Sequence, residues 1–305
     1  SAALKEGVVV FKGRLGDTPG NIIIDANGRH DVAKDTGQAA IKAKKITFLP
    51  TVLQPDALSP RLRHMFREVD GDIALQSTLS WRDGALRSGA EALVNLARLE
   101  TDEVNVTNAA AILTFDNLFP PTTPPGQIVE VGEIDLGVPL TDGRLALHLR
   151  ADGSVLAGLE KFNLFGGRIE TTPFVLPRTF DNFTIPLAVT GIRLADLLAV
   201  AKFGDLTATG ALDGSIPVTI TGGEFAVRDG LLKTVAGGSL RYRPRAIGPA
   251  LSEANEGAAL FLDLVKDFSY DEIQVTLNEG EFEQIAFGFK IKGHNKTVYN
   301  GVPVD

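Results

Sequence analysis

The residues of this sequence that could carry out acid–base, nucleophilic or metal chemistry are few and lie far apart. Four histidines are spread along the chain, and none has the His-Glu-x-x-His spacing that places two metal ligands on one helix face: His30, His64, His148 and His294. The sequence also has no Gly-x-Ser-x-Gly nucleophile elbow and no Gly-x-x-x-x-Gly-Lys phosphate loop. Because cysteine is absent, thiol catalysis, cysteine-ligated zinc and disulfides are excluded.

Paired carboxylates are the remaining arrangement with catalytic potential. Glu279, Glu281 and Glu283 alternate along one run, and Asp263 and Asp267 are four residues apart in a predicted helix. Two facing carboxylates can hydrolyse a glycosidic bond. Acidic turns and solvated helix faces produce the same pattern far more often. We therefore expect no enzyme, no metal site and no cofactor.

The composition argues against two further classes of function. The formal net charge of −8 and the isoelectric point near 5.1 oppose sequence-independent attraction to nucleic acid or to anionic lipid headgroups. No run approaches the roughly 18 consecutive apolar residues that a membrane-spanning helix needs. The single methionine is Met65, so Ser1 is not a translation start. We expect a fragment of a longer protein, with residues 1–305 forming one continuous segment.

Short runs of alternating apolar and polar residues dominate the chain and predict antiparallel β-strands with one apolar and one polar face. Asp-Gly and Asn-Gly dipeptides accept the positive φ angles of tight turns, and we expect hairpin turns at residues 27–28, 70–71, 83–84, 142–143, 152–153, 213–214, 229–230 and 300–301. The clearest alternating runs supply the apolar side chains Leu145, Leu147, Leu149, Ile216, Val218, Ile220, Phe225, Val227, Ile273, Val275, Leu277, Ile285, Phe287, Phe289 and Ile291.

Helical spacing of apolar residues occurs in only three places and predicts three short amphipathic helices. The first begins after Asp56 and Ser59 and places Leu62, Met65, Phe66 and Val69 on one face. The second covers about residues 192–201, and the third about residues 252–267.

Two of these helices precede near-copies of one motif, which indicates an internal repeat. Residues 69–75 read VDGDIAL and residues 212–218 read LDGSIPV, and each copy continues through a strand into Arg-Asp-Gly. We predict repeat-like modules over about 56–117 and 192–245, followed by a helix and strands over 250–305. The proline-rich residues 118–126 are interpreted as a loop within one continuous sheet.

The predicted apolar face needs a cover that the helices do not supply. An apolar sheet face is covered by another sheet, by helices or by a ligand, and three short helices are too few for this many strands. One interpretation is a sandwich or closed barrel that covers itself. The other is an elongated, strongly curved antiparallel sheet whose groove holds an extended apolar ligand. The 32 glycines and 16 prolines supply the bends that such curvature needs. In that interpretation, the apolar side chains named above line the groove.

Several sequence stretches occur together in a specific order: the helix leading to residues 69–71, then residues 115–127, 138–145, 165–168, 212–218, 237–243, 264–271 and 292–303. Their joint order resembles the C-terminal part of the YdbH-type proteins of the AsmA-like family, bacterial envelope proteins that include TamB and YhdP.

The resemblance implies a long, taco-shaped β-groove, anchored in the inner membrane by an N-terminal helix and reaching across the Gram-negative periplasm toward the outer membrane. It implies transport of phospholipids between the two membranes, with the acyl chains in the groove. It also implies a small outer-membrane lipoprotein as a partner at the C-terminal end. The residues themselves leave one alternative open, a structural or interaction module of the cell envelope with a self-packed sheet that binds a partner by β-augmentation.

Overall fold

The computed structural model describes residues 1–58, 62, 66–101, 104–179, 181–201, 205–222, 224–242, 268–279 and 285–295. The chain divides into two compact units. Unit 1 comprises Ser1–Phe162 and Val175–Thr179, and unit 2 comprises Asn163–Phe174 and Phe180–Asp305. All described strands except β8 and β9 belong to one antiparallel sheet of 20 strands, which is not closed. The predicted fold class, mainly β and antiparallel, is therefore confirmed.

Unit 1 is a meander in which consecutive long strands pair with one another. β1 pairs with β2, the order continues through β7, and β7 then pairs with β10 and β10 with β11. The strands are β1 (Ala2–Lys5), β2 (Val8–Gly16), β3 (Ile23–Asp31), β4 (Thr36–Phe48), β5 (Glu68–Arg82), β6 (Ala85–Glu100), β7 (Asn105–Phe115), β8 (Asn117–Leu118), β9 (Pro121–Thr122), β10 (Gln127–Asp135) and β11 (Pro139–Leu149).

Unit 2 pairs strands in the order β13, β15, β17, β19, β21 and β22, with β18 beside β17, and β16 joined to β21 through β20. β12 (Val155–Leu164) and β14 (Phe174–Leu176) have residues in both units. The other strands are β13 (Gly167–Thr171), β15 (Phe183–Arg193), β16 (Leu206–Ala208), β17 (Ala211–Thr221), β18 (Glu224–Val227), β19 (Gly230–Thr234), β20 (Gly238–Tyr242), β21 (Phe268–Glu279) and β22 (Ile285–Asn295).

The predicted number of helices is wrong. Within the described residues there is one α-helix, α1 (Leu194–Val200), which lies inside the second predicted helix. The first predicted helix cannot extend to Val69, because β5 has already begun at Glu68, and the segment before it contains a 3₁₀ helix at Pro55–Ala57. Residues 59–61 and 63–65 of that prediction, and all of the third predicted helix, lie outside the described residues.

The dipeptide turn signals are right at some positions and wrong at others. Asp83-Gly84 forms the turn between β5 and β6 with φ angles of 49° and 77°, and a turn also occurs at residues 152–153. Asp229 has a φ angle of 56° in the connection from β18 to β19, but Gly230 is already the first residue of β19. Residues 27–28, 70–71, 142–143 and 213–214 instead lie inside strands. Asp-Gly also suits a β-bulge or a close approach of two strands, so the dipeptide alone does not distinguish a turn from an irregular strand. The dipeptide at 300–301 lies outside the described residues.

The two copies of the repeated motif occupy equivalent places in their strands. Gly71 in β5 and Gly214 in β17 each lie where a neighbouring strand comes too close for a Cβ atom. A Cβ at position 71 would be 2.6 Å from the Cα of Leu96, and one at position 214 would be 2.9 Å from the Cα of Leu232. The residue two positions earlier is buried in both copies, Val69 in one and Leu212 in the other.

A compact core closes one end of the apolar side of unit 1. It consists of Ala43, Ile46, Phe48, Leu53 and Val69, with partly buried apolar side chains around it. The segment between β4 and β5 is attached there by the Gln54 side chain. The Gln54 Oε1 accepts a hydrogen bond from the Val69 backbone N at 2.8 Å, and the Gln54 Nε2 donates to the Val69 backbone O at 2.9 Å. In unit 2, α1 packs against β15 and β16 through buried Leu194, Leu197 and Leu198.

Candidate functional site: an apolar sheet face in each unit

The strand register of unit 2 places the predicted apolar residues on one face. Ile216, Val218 and Ile220 of β17 lie opposite Leu187, Ile185 and Phe183 of β15, in that order, and the hairpin to β18 adds Phe225 and Val227. Directly opposite residues of antiparallel strands share a face. Across the sheet, the face continues through two opposed pairs. Gly214 of β17 lies opposite Leu232 of β19, and Leu232 lies opposite Val275 of β21.

The last strand pair of unit 2 extends the same face. Four opposed pairs bring the remaining predicted residues together: Ile273 with Ile291, Val275 with Phe289, Leu277 with Phe287, and Glu279 with Ile285. All twelve predicted residues of unit 2, from Ile216 to Ile291, therefore lie on one sheet face. We call it the unit 2 apolar face.

Unit 1 has an apolar face of the same kind, and Leu145 and Leu147 belong to it. Leu145 lies opposite Val129, which lies opposite Ala111, and the register continues through Val94 to Ile73 and Ile46. Leu147 lies opposite Gln127. Leu149 shares their side of β11 by alternation, and its backbone N and O bond to Thr123. This unit 1 apolar face crosses β1 to β7, β10 and β11, whereas β8 and β9 form a separate two-stranded sheet.

The middle of the unit 1 apolar face is lined by alanine, which the sequence reasoning missed. Ala43, Ala90, Ala92, Ala109 and Ala111 all lie on it and are at most 8% exposed. By contrast Ile112, the chain neighbour of Ala111 on the other face, is 62% exposed. The signal was present as alternation in β6 and β7, but alanine is a weak marker of an apolar face because it also occurs on exposed faces.

The predicted lining residues differ in exposure. Ile220, Ile273, Val275 and Leu277 are buried by protein atoms, Phe225 and Ile285 are 49% and 47% exposed, and the other nine are half-buried. The half-buried and exposed members are the ones that a ligand could still touch.

The opposite faces carry charged and hydroxyl side chains. In unit 1, Arg144 lies 3.5 Å from Glu130 and 3.4 Å from Glu160, and in unit 2 Lys292 lies 3.5 Å from Glu272. Arg14 makes two hydrogen bonds to Asp25, of 2.7 and 3.1 Å, and this holds the pKa of the Asp25 carboxyl below its usual range. The Thr47 hydroxyl, with Lys45 beside it, lowers the pKa of Asp72 in the same way.

Those of the residues first suggesting chemistry that the structure describes do not come together into a catalytic group. The Trp81 Nε1 donates a hydrogen bond to the His30 Nδ1 at 3.0 Å and the rings stack, while Glu279 pairs with Arg228 at 3.2 Å. His64, Asp263, Asp267, Glu281 and Glu283 lie outside the described residues. No group of three histidine or acidic side chains that could hold a metal ion occurs in the described part of the chain. Among the same residues, no helix has both the length and the hydropathy that a bilayer span requires.

The described part of the chain is thus an antiparallel sheet with an apolar face in each unit. A family model described as YdbH-like, intermembrane phospholipid transport protein YdbH, matches residues 5–305. The chain therefore belongs to the YdbH-like family, as the resemblance predicted. This family is a lipid-transport family and not an enzyme family, and intermembrane transport implies a place in the cell envelope. No curated protein and no solved structure matches the chain.

Proposed function

We propose that this chain shields phospholipid acyl chains on its apolar faces while the lipids pass between the inner and outer membranes of a Gram-negative bacterium. The observation that carries the proposal is the strand register, which joins alternating side chains from many strands into a continuous apolar face in each unit. Membership of a family described by phospholipid transport supports the same ligand class.

The energetic need for such a face follows from the hydrophobic effect. A phospholipid exposes on the order of 30 methylene groups, and at roughly 0.8 kcal/mol each their transfer into water costs about 25 kcal/mol. A continuous apolar surface removes most of this cost. Acyl chains form no hydrogen bonds, so the surface needs no polar group at fixed positions, and low lipid specificity is expected.

The exposure of the side chains indicates where the acyl chains lie. In unit 2 we assign the contact to the half-buried and exposed residues Ile216, Val218, Phe225, Val227, Ile285, Phe287, Phe289 and Ile291. In unit 1 we assign it to Leu145, Leu147 and Leu149, beside the alanine-lined strands. Alanine side chains leave room above the sheet, and the charged side chains of the opposite face keep that side hydrated. Headgroups then project from an open edge of a curved sheet.

The cellular arrangement is part of the proposal. In the full-length protein, an N-terminal helix anchors the chain in the inner membrane and the groove crosses the periplasm. A small outer-membrane lipoprotein docks at the C-terminal end. The family description supports the two-membrane setting, and the resemblance supports the anchor and the lipoprotein.

The experiment is native mass spectrometry of the gently purified protein, with the bound material extracted and identified. Two variants place a charge on the unit 2 apolar face, Val218→Arg at a half-buried position and Phe225→Arg at an exposed one. Ala226→Arg is the matched control, because Ala226 is next to Phe225 and on the opposite face. We expect co-purified phospholipid whose amount falls in the two face variants, by the share bound to unit 2, and does not fall in the control.

A lipid-free mass, with no uptake from phospholipid vesicles, would contradict the proposal. It would favour the alternative of a self-packed interaction module. In that case Val218→Arg should unfold the domain instead of blocking lipid. Phe225→Arg keeps the test decisive, since an exposed position tolerates arginine and the protein stays folded.

A further inference from the structure

The polar face of unit 1 contains a cavity that the transport function does not use. Its volume is about 760 Å³, and it crosses β2 to β6. Two rows of cross-strand neighbours form its walls: Val10, Arg29, Gln38, Ser80 and Arg87 in the first, and Lys12, Asn27, Ala40, Thr78 and Gly89 in the second.

The cavity opens on the polar side, because its floor is the row between these walls. That row is Phe11, Gly28, Ala39, Leu79 and Ser88, whose side chains point to the apolar face. A cavity on the apolar side would have the next apolar rows as its walls, such as the row containing Trp81 and the row containing Ala90. Neither of these rows lines the cavity. The site is thus on the opposite face from the proposed acyl contact.

The charges in the two wall rows are all positive. Lys12, Arg29 and Arg87 are exposed, and none of them forms an ion pair within the described residues. Lys12 has Asp25 as a diagonal neighbour, but Arg14 already holds both oxygens of that carboxylate. The cavity has one carboxylate, Asp116, which follows the last residue of β7.

The next rows on either side together have a smaller excess of positive charge. The row beyond the first wall has Lys5 and Arg82 against Asp31, so it has one cation in excess. The row beyond the second wall has Arg14 and Lys42 against Asp25 and Glu91 and is neutral. The cavity thus has three cations and one carboxylate, Asp116, in a protein whose net charge is −8.

We propose that this cavity binds a phosphate ester that also carries hydroxyl groups. Guanidinium groups bind phosphate oxygens in a bidentate manner, and Arg29, Arg87 and Lys12 all line this cavity, on β3, β6 and β2. Asn27, Gln38, Thr78 and Ser80 add uncharged donors, and Asp116 can accept hydrogen bonds from ligand hydroxyls. The volume lies in the range of small-molecule sites, roughly 300–1,000 Å³, and exceeds what inorganic phosphate fills. The ester has two possible sources, a soluble metabolite or a lipid headgroup, and the site chemistry is the same for both.

The test is isothermal titration calorimetry with glycerol phosphate, compared with inorganic phosphate, on the whole chain. We expect saturable binding that weakens with salt, and weaker binding of inorganic phosphate. The triple variant Lys12→Gln, Arg29→Gln, Arg87→Gln should weaken glycerol phosphate binding by about tenfold or more. The control triple variant Lys42→Gln, Lys44→Gln, Arg82→Gln has the same net charge, and none of its residues lines the cavity. We expect it to change binding by less than about twofold.

Vesicles identify the source of the ester. Binding to phosphatidylglycerol-containing vesicles but not to pure phosphatidylcholine vesicles, lost in the cavity variant, assigns the site to a lipid headgroup. Binding of free glycerol phosphate without vesicle binding assigns it to a soluble ester. The absence of saturable binding, or an equal loss in both triple variants, overturns the proposal. Because the substitutions lie on the polar face, the co-purified lipid that is sensitive to Phe225→Arg should remain in the cavity variant, so this proposal and the transport proposal fail separately.

Discussion

Gly71 and Gly214 show how single residues allow the strands to pack. Each lies inside a strand where the backbone of the next strand occupies the place of a side chain. The nearest carbonyl oxygens belong to Asn95 in one case and Leu231 in the other. The two strands can approach this closely only because glycine has no Cβ atom.

We expect Gly71→Ala and Gly214→Ala each to destabilise the protein by about 1–3 kcal/mol, since the added methyl group overlaps neighbouring backbone that cannot rotate away. The measurement is denaturant unfolding followed by circular dichroism. Gly13→Ala is the control, because a Cβ at Gly13 meets nothing within 4 Å and its φ is not positive. Equal midpoints for the three variants would show that the close approach does not constrain these positions.

Tyr270 is a titratable side chain whose burial links stability to high pH. Burial raises the pKa of its phenol, and the Tyr270 hydroxyl donates a hydrogen bond to the backbone O of Thr209. A folded-state pKa above the unfolded value of about 10 means that this contribution is complete below pH 10. It is lost as the pH rises through the folded-state pKa.

Tyr270→Phe should therefore cost about 1 kcal/mol at neutral pH through the lost hydrogen bond. It should also reduce the fall in melting temperature between pH 9 and pH 11, in comparison with the unmodified protein. Tyr242→Phe is the control, because it removes the same hydroxyl group from a half-buried tyrosine at the end of β20. A pH profile that is unchanged in Tyr270→Phe would contradict the assignment.

At the scale of elements, the segment between β4 and β5 depends on one amide side chain. Gln54 bonds to both backbone groups of Val69, and its Nε2 also donates to the backbone O of Leu49 and of Leu53, at 3.0 and 2.9 Å. The Gln54 amide thus bonds to both the N–H and the C=O of Val69, as the backbone of a residue in a neighbouring strand would. The buried core around Phe48 and Val69 keeps these groups away from water, so they need this partner.

We predict that Gln54→Ala lowers the free energy of unfolding by about 1–3 kcal/mol, because it leaves buried backbone groups without partners. Hydrogen exchange should become faster at the Val69 amide in particular. Gln76→Ala, at an exposed position of β5, is the matched control and should change neither quantity. Unchanged protection at Val69 would show that water replaces the Gln54 amide at no cost.

At the scale of the whole molecule, each of the two units has its own apolar face. If both faces hold acyl chains, a charge on one face should remove only the lipid bound there. We predict that Val94→Arg in unit 1 and Phe225→Arg in unit 2 each leave part of the co-purified phospholipid, and that the double variant loses nearly all of it.

Native mass spectrometry provides the lipid count for these variants. Leu93→Arg is the control for unit 1, because Leu93 is 45% exposed and lies on the opposite face. Complete loss of lipid in either single variant would show that one face carries all of the binding. An equal loss in Leu93→Arg would show that added charge, and not the apolar face, determines lipid binding.

The extent to which the sequence predicted the structure differs between strands and helices. Alternation identified the apolar sides of β11, β17, β21 and β22 correctly, because strand side chains point to opposite faces with a period of exactly two. The first predicted helix failed at its end, since Val69 fits a helical pattern by spacing but begins a strand with Gln54 as its partner. The spacing of apolar residues along a short segment carries no information about a hydrogen-bond partner 15 residues away, such as Gln54 for Val69.

The sequence by itself determined the mainly β class, the family and the set of side chains that share a face within each strand. These properties depend on composition, on motif order and on local periodicity. Only the tertiary structure decided that Val218 lies between Ile185 and Val227, that alanines line the middle of the unit 1 apolar face, and that Lys12, Arg29 and Arg87 surround one cavity. These relations depend on the hydrogen-bond register between strands far apart in the chain. Bulges and packing set that register, and a shift of one residue would move every side chain of a strand to the other face.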